Sequence, residues 1–215
     1  VTIDPWGSSQ STDYSGIIDK FGLSSMESVT VPNPSKLHRR GVIFAHRDLD
    51  VVLESKRKTE PFGVLTGLMP SGKMHLGHSM VIDQVSWFQQ QGGDVTIAVA
   101  DLESNATRGV SLSDGKKIAR EEYVSNYAAL GLDPEKTTVY FQSERNIVQK
   151  LGFQLGKRTN LSELEAIYGF DGSTNLAHVH APLVQAGDIL HPQLDEFGVL
   201  RPIVVPVGVD QDPHL

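Results

Sequence analysis

Apolar positions follow two patterns along this chain, one typical of buried strands and the other of helices that pack by one face. Short runs that are apolar almost throughout predict strands at 62–66, 95–100, 137–141 and 203–207. Apolar residues at helical spacing predict helices near 76–90, 113–130, 144–155, 161–168 and 175–190. Strands that are apolar on both faces and alternate with helices indicate an α/β fold, in which helices cover both faces of a parallel sheet.

The first 60 residues are predicted to form an N-terminal extension, followed by a main domain over 61–215. A short helix is expected after a cap at 11–13, ending at Gly22, with one apolar face made by Tyr14, Ile17, Ile18 and Phe21. A loop rich in Ser and Pro is predicted over 24–35, and a second helix over about 48–58.

Composition limits the class of protein. The 215 residues suffice for one large domain or a domain with an extension, and the absence of Cys excludes disulfides and thiolate metal sites among them. The 26 acidic and 19 basic residues argue against a general nucleic-acid coat protein, but not against a nucleic acid held by a local patch. No run of 18 apolar residues predicts a spanning helix. Because a strand-like run directly precedes the last residues, we expect the chain to continue beyond Leu215.

The strongest chemical signal is the segment 66–78, a Gly- and Pro-rich loop between a predicted strand and a predicted helix. His75 and His78 open the helix, whose N-terminal N–H groups and dipole suit a phosphate. Gly77 lets a base or ribose approach the backbone, and Lys73 adds a cation. The alternative is a Gly-rich turn with solvated histidines; a Walker loop is excluded because GxxxxGK[ST] is absent.

Two further segments follow predicted strands, where ligands of parallel sheets bind. Asp101 and Glu103 come directly after the run 95–100, and their alternative role is to cap the next turn. Gly208 follows the last predicted strand and permits close approach, so that Asp210 and Gln211 can bind an amino acid or a ribose. The alternative there is a loop acid with only structural hydrogen bonds.

A third segment lies on the predicted helix 175–190. Pro182 can kink this helix and release a carbonyl, with Gln185 and Asp188 on the following turns. His178, His180 and His191 suggest zinc at first sight. Two histidines at i and i+2 on a helix point apart, however, so no metal site is predicted.

The histidine segment, His75-Leu76-Gly77-His78, resembles the HIGH signature of class I aminoacyl-tRNA synthetases. Further segments narrow the resemblance to the archaeal and eukaryotic tryptophanyl-tRNA synthetases. They are Val-Thr-Ile-Asp-Pro-Trp at 1–6, the Arg-Arg-Gly to His-Arg-Asp stretch at 39–48, Pro-Phe to Thr-Gly at 61–67, and Val-Asp-Gln-Asp-Pro at 209–213. Their order and spacing agree over nearly the whole chain.

This resemblance implies a Rossmann-like catalytic domain that activates tryptophan with ATP, accompanied by Mg2+, and transfers it to tRNA(Trp). It also implies a homodimer and a cytoplasmic location. The resemblance assigns catalysis to His75, His78 and Lys73. It assigns ATP binding to Thr66, Gly67, Pro70, Ser71, His75, Gly77, His78 and Gly208. It assigns the amino acid to Leu65, Glu103, Gln185, Asp210 and Gln211.

The chain departs from the eukaryotic pattern at two positions that would contact the indole N–H. Ala98 stands where those enzymes have Gln, and Leu65 where they have Tyr. The Ala-Asp-Leu pattern at 100–102 is closer to that of tyrosyl and bacterial tryptophanyl enzymes, in which an Asp of the later helix reads the ring. How this chain reads the ring is therefore open.

The family's second ATP loop, Lys-Met-Ser-Lys-Ser or a variant, and its helical anticodon-binding domain do not occur in these 215 residues. We therefore expect this chain to bind the ligands but to activate them poorly. The alternatives to a tryptophanyl enzyme are a tyrosyl-tRNA synthetase, an HxGH adenylyltransferase of cofactor synthesis, and a non-catalytic binding paralogue or fragment. Length and the N-terminal segments argue against the adenylyltransferase.

Overall fold

The structure is a computed structural model that describes residues 14–215. The resemblance at 1–6 and the helix cap at 11–13 therefore lie outside the described residues. The strands are β1 (Ser24–Ser25), β2 (Ala45–His46), β3 (Gly63–Leu68), β4 (Asp94–Val99), β5 (Thr137–Phe141) and β6 (Ile203–Val204). The first helices are α1 (Tyr14–Phe21), α2 (Lys36–Arg39), α3 (Leu49–Arg57), α4 (Leu76–Gln90) and α5 (Asp101–Arg108). The later helices are α6 (Leu112–Ile118), α7 (Ser125–Ala129), α8 (Asn146–Leu155), α9 (Leu161–Tyr168) and α10 (Leu176–Leu190).

The main sheet has four parallel strands in the order β5-β4-β3-β6, which confirms the predicted α/β fold. β3 and β4 pair along six positions, from Gly63 opposite Asp94 to Leu68 opposite Val99. β6 pairs at only two positions and is shorter than the predicted strand 203–207. Pro206 explains the early end, because proline has no N–H to donate to a neighbouring strand.

Two cores lie on opposite faces of this sheet. On one face, Val64 and Ile97 pack with Val85 of α4 and with Tyr123. On the other face, Ala98 and Tyr140 pack with Val148 of α8 and Val184 of α10. Because side chains alternate along a strand and register partners share a face, Leu65 and Gly67 point to the same side as Ala98. That side is covered by α8 and α10.

Two helical predictions need correction. Residues 101–108 form α5, although only a turn was expected after the strand. Asp101 and Glu103 suit its N-terminal dipole, and Gly109, with φ 67, ends it in the left-handed region. The predicted helix 113–130 is α6 and α7 joined by a π-helical segment, Ala119–Val124. Tyr123, Tyr127 and Trp87 are buried packing residues.

The N-terminal part of the chain shares the core of the main sheet. α3 buries Leu49 and Val52 in the cluster that includes Val64 and Val85. β1 lies within the predicted loop 24–35 and pairs antiparallel with β2, and the same loop contains a 3-10 turn at Met26–Ser28. None of the helices within 14–215 is long and apolar enough to cross a membrane.

Candidate active site at the carboxyl edge of the sheet

The segments singled out from the sequence leave the sheet at the same edge. The loop 69–75 follows β3, α5 follows β4, a short turn at Gln142–Glu144 follows β5, and the turn Val209–His214 follows β6. All four strands are parallel, so their carboxyl ends lie side by side. α10 contacts both α5 and the turn Val209–His214. One cleft region is therefore bounded by all of these elements.

Gly67 marks the floor of this cleft. It is the exposed position of β3, whose other five residues are buried. A Cβ added at Gly67 would meet nothing closer than the carbonyl oxygen of Ala98 at 3.9 Å. Space therefore exists above the strand at this point, and a flat ligand can lie against the backbone. Thr66 is buried and, by alternation, belongs to the opposite face with Val64.

The two histidines form a compact unit at the start of α4. The N–H of His75 donates to Nδ1 of His78 over 3.2 Å, and the ring centroids lie 3.8 Å apart. The His75 ring lies over Gly77, where an added Cβ would come within 3.1 Å of its Cε1. His78 is half-buried and its ring meets that of Tyr123 edge-on at 5.3 Å. A side chain at position 77 would therefore press on the folded-back imidazole, so this contact favours glycine.

The hydrogen bond at Nδ1 decides the proton position on His78. Because Nδ1 accepts from a backbone N–H, the proton of the neutral ring sits on Nε2. Burial, and then the neighbouring His75, hold the pKa of His78 below its ordinary value of 6.5. His78 is therefore a neutral donor at pH 7, able to offer Nε2–H to a phosphate oxygen.

We expect His75→Asn to raise the pKa of His78 only partly, because burial, the larger cause of the shift, remains. An NMR pH titration of the His78 ring protons measures this change. His178 is the control, because its pKa is lowered by burial alone. A full return of His78 to 6.5 would contradict the assignment of causes. Since the folded pKa is the lower one, His78 reduces stability as the pH falls from 6.5 through the folded pKa.

The loop between β3 and α4 is tied to α5. Pro70 is buried, and its carbonyl oxygen accepts from the hydroxyl of Ser104 over 3.1 Å. Ser71 and Lys73 are exposed, so their side chains can reach a ligand. Pro70 thus fixes the loop, while its neighbours face outward.

Asp101 connects the ends of β4 and β5. Its carboxylate, 1% exposed, accepts from the backbone N–H of Ser143 at 3.0 Å and from its hydroxyl at 2.5 Å. Glu103 is half-buried on the same helix and adds negative charge to the site. Burial and then Glu103 raise the pKa of Tyr168 to about 12. Asp101 is therefore a structural acid that ties the ends of the two strands together, whereas the charge of Glu103 acts on Tyr168 and Asp188.

A buried polar cluster around Asp188 lies below the cleft, and the sequence alone did not reveal it. The Tyr140 hydroxyl and the Gln142 amide each donate to the Asp188 carboxylate at 2.5 Å. Asp188 is 3% exposed, and burial raises its pKa to about 7, with Glu103 and Asp101 adding to the rise and the two hydrogen bonds opposing it. Tyr140 is the register partner of Ala98. Asp188 is thus linked through Tyr140 to the strand that neighbours the small residue Ala98.

The other predicted amino-acid residues border the same space. Leu65 is buried on the Gly67 side of β3, and Gln185 is half-buried on α10 about one turn before Asp188. In the turn after β6, Gln211 Nε2 donates to Asp210 Oδ2 over 2.9 Å. The Asp210 carboxylate lies against Gly208, where a Cβ would overlap it.

His178 of α10 and His191, which directly follows this helix, pack against aromatic rings. The His178 ring meets that of Phe170 at 5.0 Å, and the His191 ring meets that of Tyr140, also at 5.0 Å. Among residues 14–215, no group of three or more His, Cys, Asp or Glu side chains is arranged to hold a metal ion.

Comparisons with known proteins show which family this chain is similar to. The profile of the family described as tRNA synthetases class I (W and Y) matches residues 56–215. A tryptophan–tRNA ligase of Methanosarcina acetivorans is 49% identical over 215 residues, which cover 99% of this chain and 49% of that protein. The Methanocaldococcus jannaschii tryptophan–tRNA ligase is 45% identical over 217 residues, covering 99% of this chain and 59% of that protein. The chain thus spans between half and three fifths of the length of these relatives.

Solved structures show the same likeness. The crystal structure of tryptophanyl-tRNA synthetase from Aeropyrum pernix matches with a TM-score of 0.88 at 44% identity, covering 98% of this chain and 59% of that one. A tryptophanyl-tRNA synthetase from Encephalitozoon cuniculi, bound to tryptophan, matches with a TM-score of 0.83 at 28% identity. That match covers 94% of this chain and 62% of the other.

Proposed function

Because the chain belongs to the class I tRNA synthetases of the W and Y family, we propose that it is the tryptophan- and ATP-binding part of a tryptophan–tRNA ligase. The observation that supports the proposal is that the segments bearing the α4 histidines, Glu103 and Asp210 each follow one of the parallel strands, whose carboxyl ends lie at one edge of the sheet. Within it, residues 61–215 are the ligand-binding domain and residues 1–60 an extension of it.

We assign the phosphates of ATP to the start of α4. The N–H groups of its first turn and the Nε2–H of His78 are donors for phosphate oxygens, and the exposed Lys73 is a nearby cation. Gly77 and Gly67 let the ribose or base lie against the backbone, together with Gly208 across the cleft. Ser71 shapes this wall from an exposed position and Pro70 from a buried one, while the buried Thr66 supports the strand from the opposite face of the sheet.

We assign the amino acid to the side of the cleft that α10 covers. Glu103 meets the ammonium group, and Gln185, Asp210 and Gln211 supply hydrogen bonds to it and to the carboxylate. The combined negative charge of Glu103 and Asp101, which also raises the pKa of Asp188, favours a cationic group here. Leu65 gives the ring an apolar wall.

Asp188 is the candidate acceptor for the indole N–H. Its ionised carboxylate has only acceptors, which suits a ring whose single polar atom is a donor. Tyr140 and Gln142 hold the carboxylate in place, and Ala98 leaves room beside it. In this proposal, an acid of α10 makes the indole contact that Gln at 98 and Tyr at 65 make in the eukaryotic enzymes.

The proposed reaction joins the two ligands. A carboxylate oxygen of tryptophan forms a bond to the α-phosphorus of ATP, the bond to the bridging oxygen breaks, and pyrophosphate leaves with the electron pair. The protein contributes positioning and hydrogen bonds to the charge that builds on the phosphate oxygens, chiefly from α4. The acyl group then passes to a hydroxyl of tRNA(Trp), and AMP leaves.

Mg2+ belongs to this proposal as a companion of ATP. In this proposal the cation is carried by phosphate oxygens and water. When bound, it would neutralise phosphate charge. The tRNA(Trp) partner is proposed from the relatives' names, whereas a homodimer and a cytoplasmic location are proposed only from the resemblance to the family.

Calorimetric titration of the chain with tryptophan, tyrosine and ATP tests the proposal, since all the residues assigned to these ligands lie within it. We expect tryptophan to bind at least about tenfold more tightly than tyrosine, a difference of 1.4 kcal/mol. Preference for tyrosine would move the assignment to a tyrosine–tRNA ligase, which Asp188 and Ala98 alone would also suit. Binding of neither amino acid would contradict the proposal.

A further inference from the structure

Arg47 joins three distant parts of the chain at the rim of the site. It lies between β2 and α3, and its guanidinium Nε donates to Asp212 Oδ1 at 3.1 Å. Its Nη2 donates to Asp212 Oδ2 at 3.0 Å and to the carbonyl oxygen of Phe21 at 2.9 Å. The two residues of the ion pair are 165 positions apart in the sequence.

The pair is more buried than an ordinary surface ion pair. The side chain of Asp212 is 10% exposed and that of Arg47 is 41% exposed. Two parallel N–H donors meet two carboxylate oxygens, the arrangement that gives arginine its geometric specificity. Asp212 belongs to the turn Val209–His214, so the fork fixes the turn that carries Asp210 and Gln211.

The backbone around Arg47 is held on both sides. His46 pairs with Ser24 in the small antiparallel sheet, and Leu49 is buried in the main core. Between them, Asp48 has φ 49 and ψ 29, in the left-handed region, and its side chain makes no capping hydrogen bond. A non-glycine residue in this region persists only where its surroundings enforce it. The path of the chain therefore presents Arg47 to Asp212 in a fixed position.

We propose that Arg47 is a positioning residue for the ligand-binding turn Gly208–Gln211. This inference rests on the proposed function, which places Asp210 and Gln211 on the ligand. Arg47 acts through Asp212: it orients the turn, and it touches no substrate itself. The N-terminal segment is then a working part of the site, since its arginine sets the geometry of a loop on the opposite end of the chain.

Arg47→Lys is the sharpest variant, because lysine keeps the charge but cannot span both oxygens of Asp212 and the carbonyl of Phe21. We expect the affinities of this variant for tryptophan and ATP, measured by calorimetry, to fall by about tenfold when the two losses are taken together. The backbone amide NMR signals of Asp210 and Gln211 should shift as well. Asp212→Asn should have the same effects, and the double variant should bind no more weakly than either single one.

Arg57→Lys is the matched control. Arg57 makes a similar fork to Glu54, at 2.8 and 2.6 Å, but within the exposed surface of α3. It should leave both affinities and the signals of the turn unchanged. A merely structural Arg47 would lower the melting temperature without changing the affinity at temperatures where the chain is folded, and this result would overturn the inference.

The failures can be told apart. If the wild-type chain binds both ligands and Arg47→Lys binds them equally well, the role of Arg47 is wrong and the proposed function stands. If the wild-type chain binds neither ligand, the proposed function is wrong, and the ligand role of Arg47 falls with it. Additive losses in the double variant would also overturn the inference, because the two residues would then act separately.

Discussion

The variant Asp188→Asn is expected to be more stable than the wild type at pH 8 and yet to bind tryptophan more weakly. Asp188 is 3% exposed, and burial raises its pKa from 3.8 to about 7. Ionising it above that pH places a charge in the interior, a cost that the neutral amide does not have. Asn has nearly the same volume and can accept one of the hydrogen bonds from Tyr140 and Gln142. Within the described part of the chain, Gln142 Oε1 is buried without a hydrogen-bond partner, so it is available to the new amide donor.

The direction of the pH dependence follows from linkage. The folded pKa of Asp188 lies above the unfolded one, so the folded state binds the proton more tightly. The contribution of protonated Asp188 to stability is complete below pH 3.8 and is lost as the pH rises through about 7. A shift of this size corresponds to a few kcal/mol, on the order of 4, of which we expect Asn to recover about 2 kcal/mol at pH 8 and almost none at pH 4.

Urea unfolding of both proteins at pH 4 and pH 8 measures the difference in the free energy of unfolding. The control is Asp171→Asn. Hydrogen bonds from Ser173 hold the pKa of this exposed carboxyl below its usual value, so its contribution is lost as the pH falls, the opposite sign. An Asp188→Asn variant that is equally destabilised at both pH values would show that the carboxylate stabilises the fold.

Tryptophan binding completes this prediction. A hydrogen bond to a charged acceptor contributes about 1.5–3 kcal/mol, so loss of the carboxylate should weaken binding by roughly 10- to 100-fold. ATP binding at α4 should be unaffected and serves as the internal control. Unchanged tryptophan affinity would remove Asp188 from the proposed indole contact.

The variant Gly187→Ala is expected to destabilise the protein by about 2 kcal/mol, although alanine is the better helix former by about 1 kcal/mol. Gly187 lies where α10 crosses α8. A Cβ there would be 2.5 Å from the carbonyl oxygen of Val148, a backbone atom that cannot move without shifting the helix. The two helices must separate, and Gln185 and Asp188 move with α10.

Gly172→Ala is the matched control, because a Cβ at Gly172 meets nothing within 4 Å and no positive φ opposes it. It should change the free energy of unfolding by less than about 0.5 kcal/mol in either direction. Chemical denaturation of the three proteins measures both effects. Gly152→Ala, which approaches the carbonyl of Leu183 at 3.0 Å, should fall between them. A stable Gly187→Ala variant would mean that the helices adjust without cost.

The segment around His75 shows what a local sequence pattern can predict. The Gly between the two histidines, the strand before them and the helix after them are neighbours in the chain. Their pattern therefore predicts a helix N-terminus that is suited to binding phosphate. The strands β4 and β5 and the helices α9 and α10 were predicted within about two residues for the same reason. Each depends on spacing within one segment.

Local patterns did not predict the elements whose structure depends on contacts with distant segments of the chain. Residues 101–108 are poor in apolar positions, and so α5 left no helical stripe to detect. Its stability comes from packing against α10 and from the hydrogen bond between Ser104 and Pro70. Likewise, the two-residue strand β6 is shortened by a proline whose effect depends on which neighbour the strand pairs with.

By itself, the sequence determined the α/β fold, the order of its elements and the family, because strand runs, helical stripes and motif spacing are local properties of the chain. Only the tertiary structure decided how the site is completed. Asp188 receives its partners from residues 46 and 48 positions away, and Arg47 meets Asp212 across 165 positions. Such pairings leave no periodic trace in the sequence, since they arise when parallel strands bring their carboxyl ends to one edge and helices close over them.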